Sequence, residues 1–132
     1  MNQIEIKKKE VEKIINLLTA KKYKEVISKT KPLVKKFPYD YIFYNALAMA
    51  FMNTGQFDES LKILSKAIRL DEKNIHVLNN LGLVNGYLAN YKKANEYYDR
   101  ALKIKPNFLN ALINLAQLKE KLNLNNDAIE IL

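Results

Sequence analysis

When the chain is slid against itself, residues of like size recur every 34 positions, and this period limits the fold more than any other feature. Blocks begin at Lys7, Tyr41, Ile75 and Leu109. Leu47, Leu81 and Leu115 share a column, and the next column holds Ala48, Gly82 and Ala116, with Ile14 in the first block. Further along, Tyr23, Phe57 and Tyr91 align, then Val26, Ser60, Ala94 and Ala128, then Thr30, Leu64, Tyr98 and Leu132. Leu33, Ala67 and Ala101 form another column, and Pro38 and Pro106 close their blocks. A period of this length marks stacked supersecondary units, none of which buries its own apolar face.

Inside each block the apolar residues return at three and four, the spacing of a helix face. There are two such runs per block. In the second block they cover about Tyr41 to Thr54 and about Asp58 to Leu70, separated by Gly55, which can adopt the left-handed conformation that ends a helix. Ala89 or Asn90, and Asn123, occupy the same turn in later blocks. Pro38 and Pro106 mark the stop of the second helix, since proline lacks the N–H and restricts its predecessor. Asp40 and Asn74 are placed to cap the next first helix. With only three Gly and three Pro in 132 residues, there is little material for a turn-rich sheet fold. Each unit therefore reads as a helical hairpin. Its small columns let helices approach closely, so that Gly82, Ala94 or Ala101 makes room for a neighbour such as Tyr91 or Tyr98.

These columns resemble those of the tetratricopeptide repeat (TPR) family over residues 7–132. The third block matches best, through Leu81, Gly82, Tyr91, Ala94, Tyr98, Ala101 and Pro106, and the second follows with Leu47, Ala48, Gly55, Phe57, Ala67 and Leu70. The resemblance implies an all-α fold, a right-handed superhelix (α-solenoid) of antiparallel helix pairs with about three and a half to four units. One domain over 1–132 would hold units at about 7–40 (degenerate), 41–74, 75–108 and 109–132 (truncated). The family's favoured Trp is replaced by Tyr44, Leu78 and Leu112, and by Glu10 in the first block. Pro32 falls inside the expected second helix of that block and should kink it or split off its last turn.

In this family the first helices line a concave groove. By resemblance the inward slots hold Val11 and Ile15, then Ile42, Asn45, Met49 and Met52, then His76, Asn79, Asn80, Leu83 and Tyr87, and finally Asn110, Ile113, Asn114 and Gln117. From Asn45 onward these are the candidate residues for a partner. Exposed Met makes an adaptable surface, and an amide both donates to and accepts from an extended backbone. Asn80 and Asn114 share a column and could begin an asparagine ladder. Asn in that slot can equally bond between adjacent repeats. The family's clamp for chaperone carboxyl termini uses Lys, Arg and Asn, but here its slots carry Val11, Ile15, Ala46, His76 and Asn80. One repeat later they carry Asn45, Met49, Asn80, Asn110 and Asn114. The basic members are missing in both registers, which disfavours a chaperone tail.

The implied function is a protein–protein interaction module or scaffold that binds a peptide or helical segment of a partner in the groove. The alternative is a substrate-recruiting or regulatory domain of a larger transferase. Nucleic acid is a third, weaker reading. The net charge of +8 is concentrated in residues 7–40, with eleven Lys against four acids, and only Arg69 and Arg100 among 22 basic residues suit bidentate phosphate contacts. Lys, Asn and Ile share adenine- and thymine-rich codons, so base composition accounts for much of both the charge and the asparagine. No cofactor, metal or catalytic site is expected. His76 has no Cys and no nearby Asp or Glu on its helix face at metal-ligand spacing, and no phosphate loop or nucleophile elbow occurs. The absence of Cys, of an export signal and of a long apolar run suggests a cytoplasmic protein. The last residues, DAIEIL, place Ala128, Ile129 and Leu132 on an uncapped apolar face, for which either further chain or a symmetric dimer is expected.

Overall fold

A computed structural model describes residues 1–124. Among these, seven helices and no strand are present: α1 (Gln3–Thr19), α2 (Tyr23–Lys36), α3 (Tyr41–Asn53), α4 (Phe57–Leu70), α5 (Ile75–Tyr87), α6 (Tyr91–Ile104) and α7 (Leu109–Leu124). The fold is all-α, three hairpins followed by one further first helix. Two compact units divide it, Met1–Leu70 and Asp71–Leu132. The expected packing of Ala128, Ile129 and Leu132, and any dimer through them, lies outside the described residues.

In the first unit α3 is buried through six consecutive residues, Phe43 to Ala48, because α1, α2 and α4 all pack on it. A helix apolar on every side is the sequence counterpart of that position. Helices α2 and α4 are one-sided instead: Val26, Thr30 and Leu33 are buried in one, Ser60, Leu64 and Ala67 in the other, at spacings of four and three. Ile14, Val26, Leu33, Phe43, Ala46 and Ala50 form the core between α1, α2 and α3. Asp40 Oδ1 caps α3 by accepting from the Ile42 N–H at 3.1 Å, and Lys7 pairs with the same carboxylate at 3.0 Å.

The second unit repeats the scheme. Asn74 Oδ1 accepts from His76 and Val77 N–H at the start of α5. Helix α6 buries Ala94, Tyr98 and Ala101, again at four and three. Gly82 is required by contact: a Cβ there would lie 2.4 Å from Tyr98 Cε1, so the ring occupies the space that the missing side chain leaves.

The hairpin turns repeat as well. Lys21, Gly55 and Ala89 have φ of 58°, 76° and 61°, one left-handed residue every 34 positions. Of the two candidates in the third block, Ala89 is the turn and Asn90 precedes α6. Two expectations are corrected. Helix α2 runs through Pro32 to Lys36, so the proline does not split off its last turn. Both Pro32 and Ser28, whose carbonyl loses its donor, are exposed, which leaves that carbonyl open to solvent. Asn123 is helical rather than a turn, because α7 extends to Leu124 and its longer course buries Leu118 and Leu122 one turn apart.

Candidate functional site

The face of α3 expected to meet a partner is narrower than the sequence implies. Ile42 and Met49, seven residues apart, are 37% and 38% exposed, whereas Met52 is only 6% exposed. The reading of Met52 as adaptable surface is therefore corrected: it lies four and seven residues from Ala48 and Asn45, both buried, on a side of the helix turned inward. Asn45 is covered with it. On α1, Ile15 is exposed and Val11 half-buried.

In the second unit His76 and Tyr87 are exposed and Leu83 half-buried, on one stripe of α5, while Asn79 and Asn80 beside them are buried. The imidazole of His76 meets Phe108 edge-on, with ring centroids 5.4 Å apart. The amide of Asn114 donates from Nδ2 to Asn79 Oδ1 at 3.0 Å, joining α7 to α5. Asn79 thus spends its carbonyl inside the protein, between equivalent helices of successive repeats. Asn110, Ile113 and Gln117 are exposed on α7.

Four of the predicted residues converge. Leu83, Tyr87, Asn114 and Gln117 line a cleft of about 140 Å³ together with Gly86, Tyr98, Leu118 and Lys121. The last four were not anticipated as site residues. Tyr98 sits in a column that reads as core, while Leu118 and Lys121 follow Asn114 by four and seven residues, so extending the helix face by one turn would have reached them. Gly86 leaves open space, since a Cβ there would meet nothing within 4 Å. Burial, with a smaller contribution from Tyr87, holds the Tyr98 phenol well above the ordinary tyrosine range, so it stays protonated. Lys121 also approaches the Tyr91 ring, its Nζ 5.5 Å from the centroid.

Chemically the cleft is mixed. Leu83, Leu118 and the Tyr98 ring offer apolar surface, Asn114 and Gln117 offer amides, and Lys121 places one positive charge at the edge. Among the described residues no cluster of three or more His, Cys, Asp or Glu is arranged to hold a metal, and no helix is long and apolar enough to cross a membrane.

Comparison with known proteins accords with the helical-hairpin fold. Over 114 residues the chain is 29% identical to the Hsp70-Hsp90 organizing protein of Triticum aestivum, covering 86% of this chain and 20% of that one. It is 32% identical over 92 residues to protein O-mannosyl-transferase Tmtc3 of Drosophila melanogaster, covering 59% of this chain and 10% of that one. The chain thus spans about a fifth or less of the length of these curated relatives. Among solved structures, the first TPR of Spaghetti bound to the HSP90 peptide SRMEEVD superposes with a TM-score of 0.77 at 21% identity, covering 86% of this chain and 90% of that one. The model of the tetratricopeptide repeat family matches residues 41–107, the two hairpins in which the columns and the turns are most regular. The chain belongs to the tetratricopeptide repeat family.

Proposed function

We propose that this chain is a protein–protein interaction module and that a peptide or helical segment of its partner seats an apolar side chain in the α5–α7 cleft. The observation that carries the reading is the convergence of Leu83, Tyr87, Asn114 and Gln117, four residues that the family resemblance places in inward slots, around one opening. The amides of Asn114 and Gln117 suit the backbone of such a segment, and Lys121 suits an acidic group beside the apolar anchor. The likeness to a TPR domain bound to a chaperone peptide supports a peptide as the type of ligand. Chaperone tails themselves are not proposed, because the clamp slots carry no Lys or Arg and three of them, Asn45, Ala46 and Asn80, are buried. The partial match to a fly transferase supports a second reading, a substrate-recruiting module within a larger enzyme.

Gly86 supplies the test. Since nothing lies within 4 Å of a Cβ at this position, a larger side chain fits without disturbing the core and fills the cleft. A partner recovered with the intact chain is reduced to its binding segment by peptide scanning, and the affinity of that segment is measured by calorimetry. Gly86→Ala should bind like the parent and Gly86→Leu at least about tenfold more weakly, the loss expected when an apolar anchor is excluded. Equal binding by Gly86→Leu, with helical content unchanged, moves the site elsewhere.

A further inference from the structure

A second cleft lies on the other side of α3. Tyr44, Leu47 and Phe51 project at about half a turn from Ile42 and Met49, so this opening is distinct from the face on which partner-binding residues are expected. Its floor is apolar, formed by those three residues with Val34 of α2 and Ile63 of α4, and its volume is about 320 Å³. Its rim is cationic. Lys31 and Lys35 stand on the α2 side and Lys66 on the α4 side, with Glu59 the one acid.

The charges at this rim do not cancel. Glu59 pairs with Lys62 at 3.7 Å, outside the cleft lining, while no carboxylate among the described residues pairs with Lys31, Lys35 or Lys66. Lys31 instead rests over the Phe51 ring, 5.9 Å from its centroid, which holds one ammonium at the edge of the apolar floor. The setting reinforces this, since residues 1–70 carry fourteen Lys and Arg against seven Asp and Glu.

We infer that this cleft docks a short acidic segment of a partner protein, one aromatic or aliphatic side chain entering between α2 and α4 while flanking Asp or Glu meet Lys31, Lys35 and Lys66. Like charges unpaired around apolar surface favour a ligand with both features together. A polyanion such as RNA would engage the lysines through its backbone alone, whereas an acidic segment with an apolar anchor uses the lysines and the partly exposed Val34 and Ile63 together. The inference stands on the first unit alone and does not depend on the α5–α7 cleft.

The experiment uses the full chain and a displayed peptide library with one fixed Phe or Leu and randomised flanks. Selection should enrich Asp and Glu on either side of the anchor. A labelled peptide from that selection, followed by fluorescence anisotropy, should lose affinity by about tenfold or more in Lys31→Glu/Lys35→Glu/Lys66→Glu, as reversed rim charges oppose an acidic ligand. It should be unaffected by Gly86→Leu. Replacing the anchor by Ala should weaken binding comparably, and raising salt should weaken it further. The three lysines are exposed, so the triple variant should keep its helical content, and Lys→Gln at the same positions gives an intermediate loss. Three results overturn the inference: no enrichment of acids, equal binding of the anchorless peptide or of a single-stranded oligonucleotide, or a selected peptide insensitive to the triple variant. The second of these would make the patch a general anion surface.

Discussion

The hairpins α3–α4 and α5–α6 solve one packing problem in two ways. In the first, Ala48, Ser60 and Leu64 hold buried positions, with the Ser60 hydroxyl donating to the Ala48 carbonyl at 2.9 Å; 34 residues on, Gly82, Ala94 and Tyr98 hold the equivalent positions of the second, with the Tyr98 ring against Gly82. All six are buried. The bulk has moved from one helix to the other: where the first helix gives up its last side-chain carbon at Gly82, the second fills the space with a tyrosine ring. The hairpin α1–α2 takes a third course, with Ile14 on the first helix and Val26 and Thr30 on the second. Between α3–α4 and α5–α6 a smaller residue on one helix is matched by a larger one on the other, and single columns of the alignment hide it because the compensation runs between columns.

The comparison can be broken most severely at Leu64. Leu64→Ala has no partner in α3 that can expand into the gap and should cost about 2 to 5 kcal/mol in urea unfolding, the range for large buried truncations. Gly82→Ala should cost less, about 1 to 3 kcal/mol, because the Tyr98 ring must yield to the new methyl. Adding Tyr98→Leu reproduces the Ala48–Leu64 pairing and should recover most of that loss. Strict additivity of the two changes would show that the volumes do not compensate.

The pH dependence sharpens the contrast between a buried phenol and a buried leucine. In the unfolded chain Tyr98 ionises near its ordinary value of 10.0, but in the folded protein burial keeps it protonated to higher pH. Unfolding above pH 10 therefore releases a proton, and stability should fall with rising pH by up to about 1.4 kcal/mol per unit from this group. Tyr98→Phe should remove that component of the slope, while the same measurement on a Leu64 variant should leave it in place. The smallest effect belongs to the turns. Ala89→Gly relieves a non-glycine residue at φ 61° and should stabilise by about 1 kcal/mol, whereas Gly55→Ala should lose a similar amount. Thermal unfolding of the two variants checks the opposite signs.

Much of this was legible in the residues. The caps at Asp40 and Asn74, the stops before Pro38 and Pro106 and the close approach at Gly82 each follow from local chemistry repeated at a fixed interval, and repetition is what separates such signals from chance. Pro32 misled in part, because the last turn of α2 stays attached past it: Leu33 is buried against the core beyond the proline and holds the helix on. Met52 misled because the register assigns a direction to a slot but not the depth of its cover. The candidate cleft was half visible: Leu83, Tyr87, Asn114 and Gln117 came from the register, while Tyr98 looked like core and Lys121 like one lysine among many.

The 34-residue period, the helical hairpin and the caps of α3 and α5 were determined by sequence alone, because backbone propensity, capping and apolar spacing act over a few residues and recur with them. Which amide bonds which, which methionine is covered, and which lysines stand unpaired around an apolar floor were decided only by tertiary structure. Asn114 finds Asn79, 35 residues away, and Lys31 and Lys66 share a rim across α3. Such partners are chosen by how helices rotate about their axes as they pack, and a rotation of a few tens of degrees turns an exposed side chain into a buried one without altering the local pattern that formed the helix.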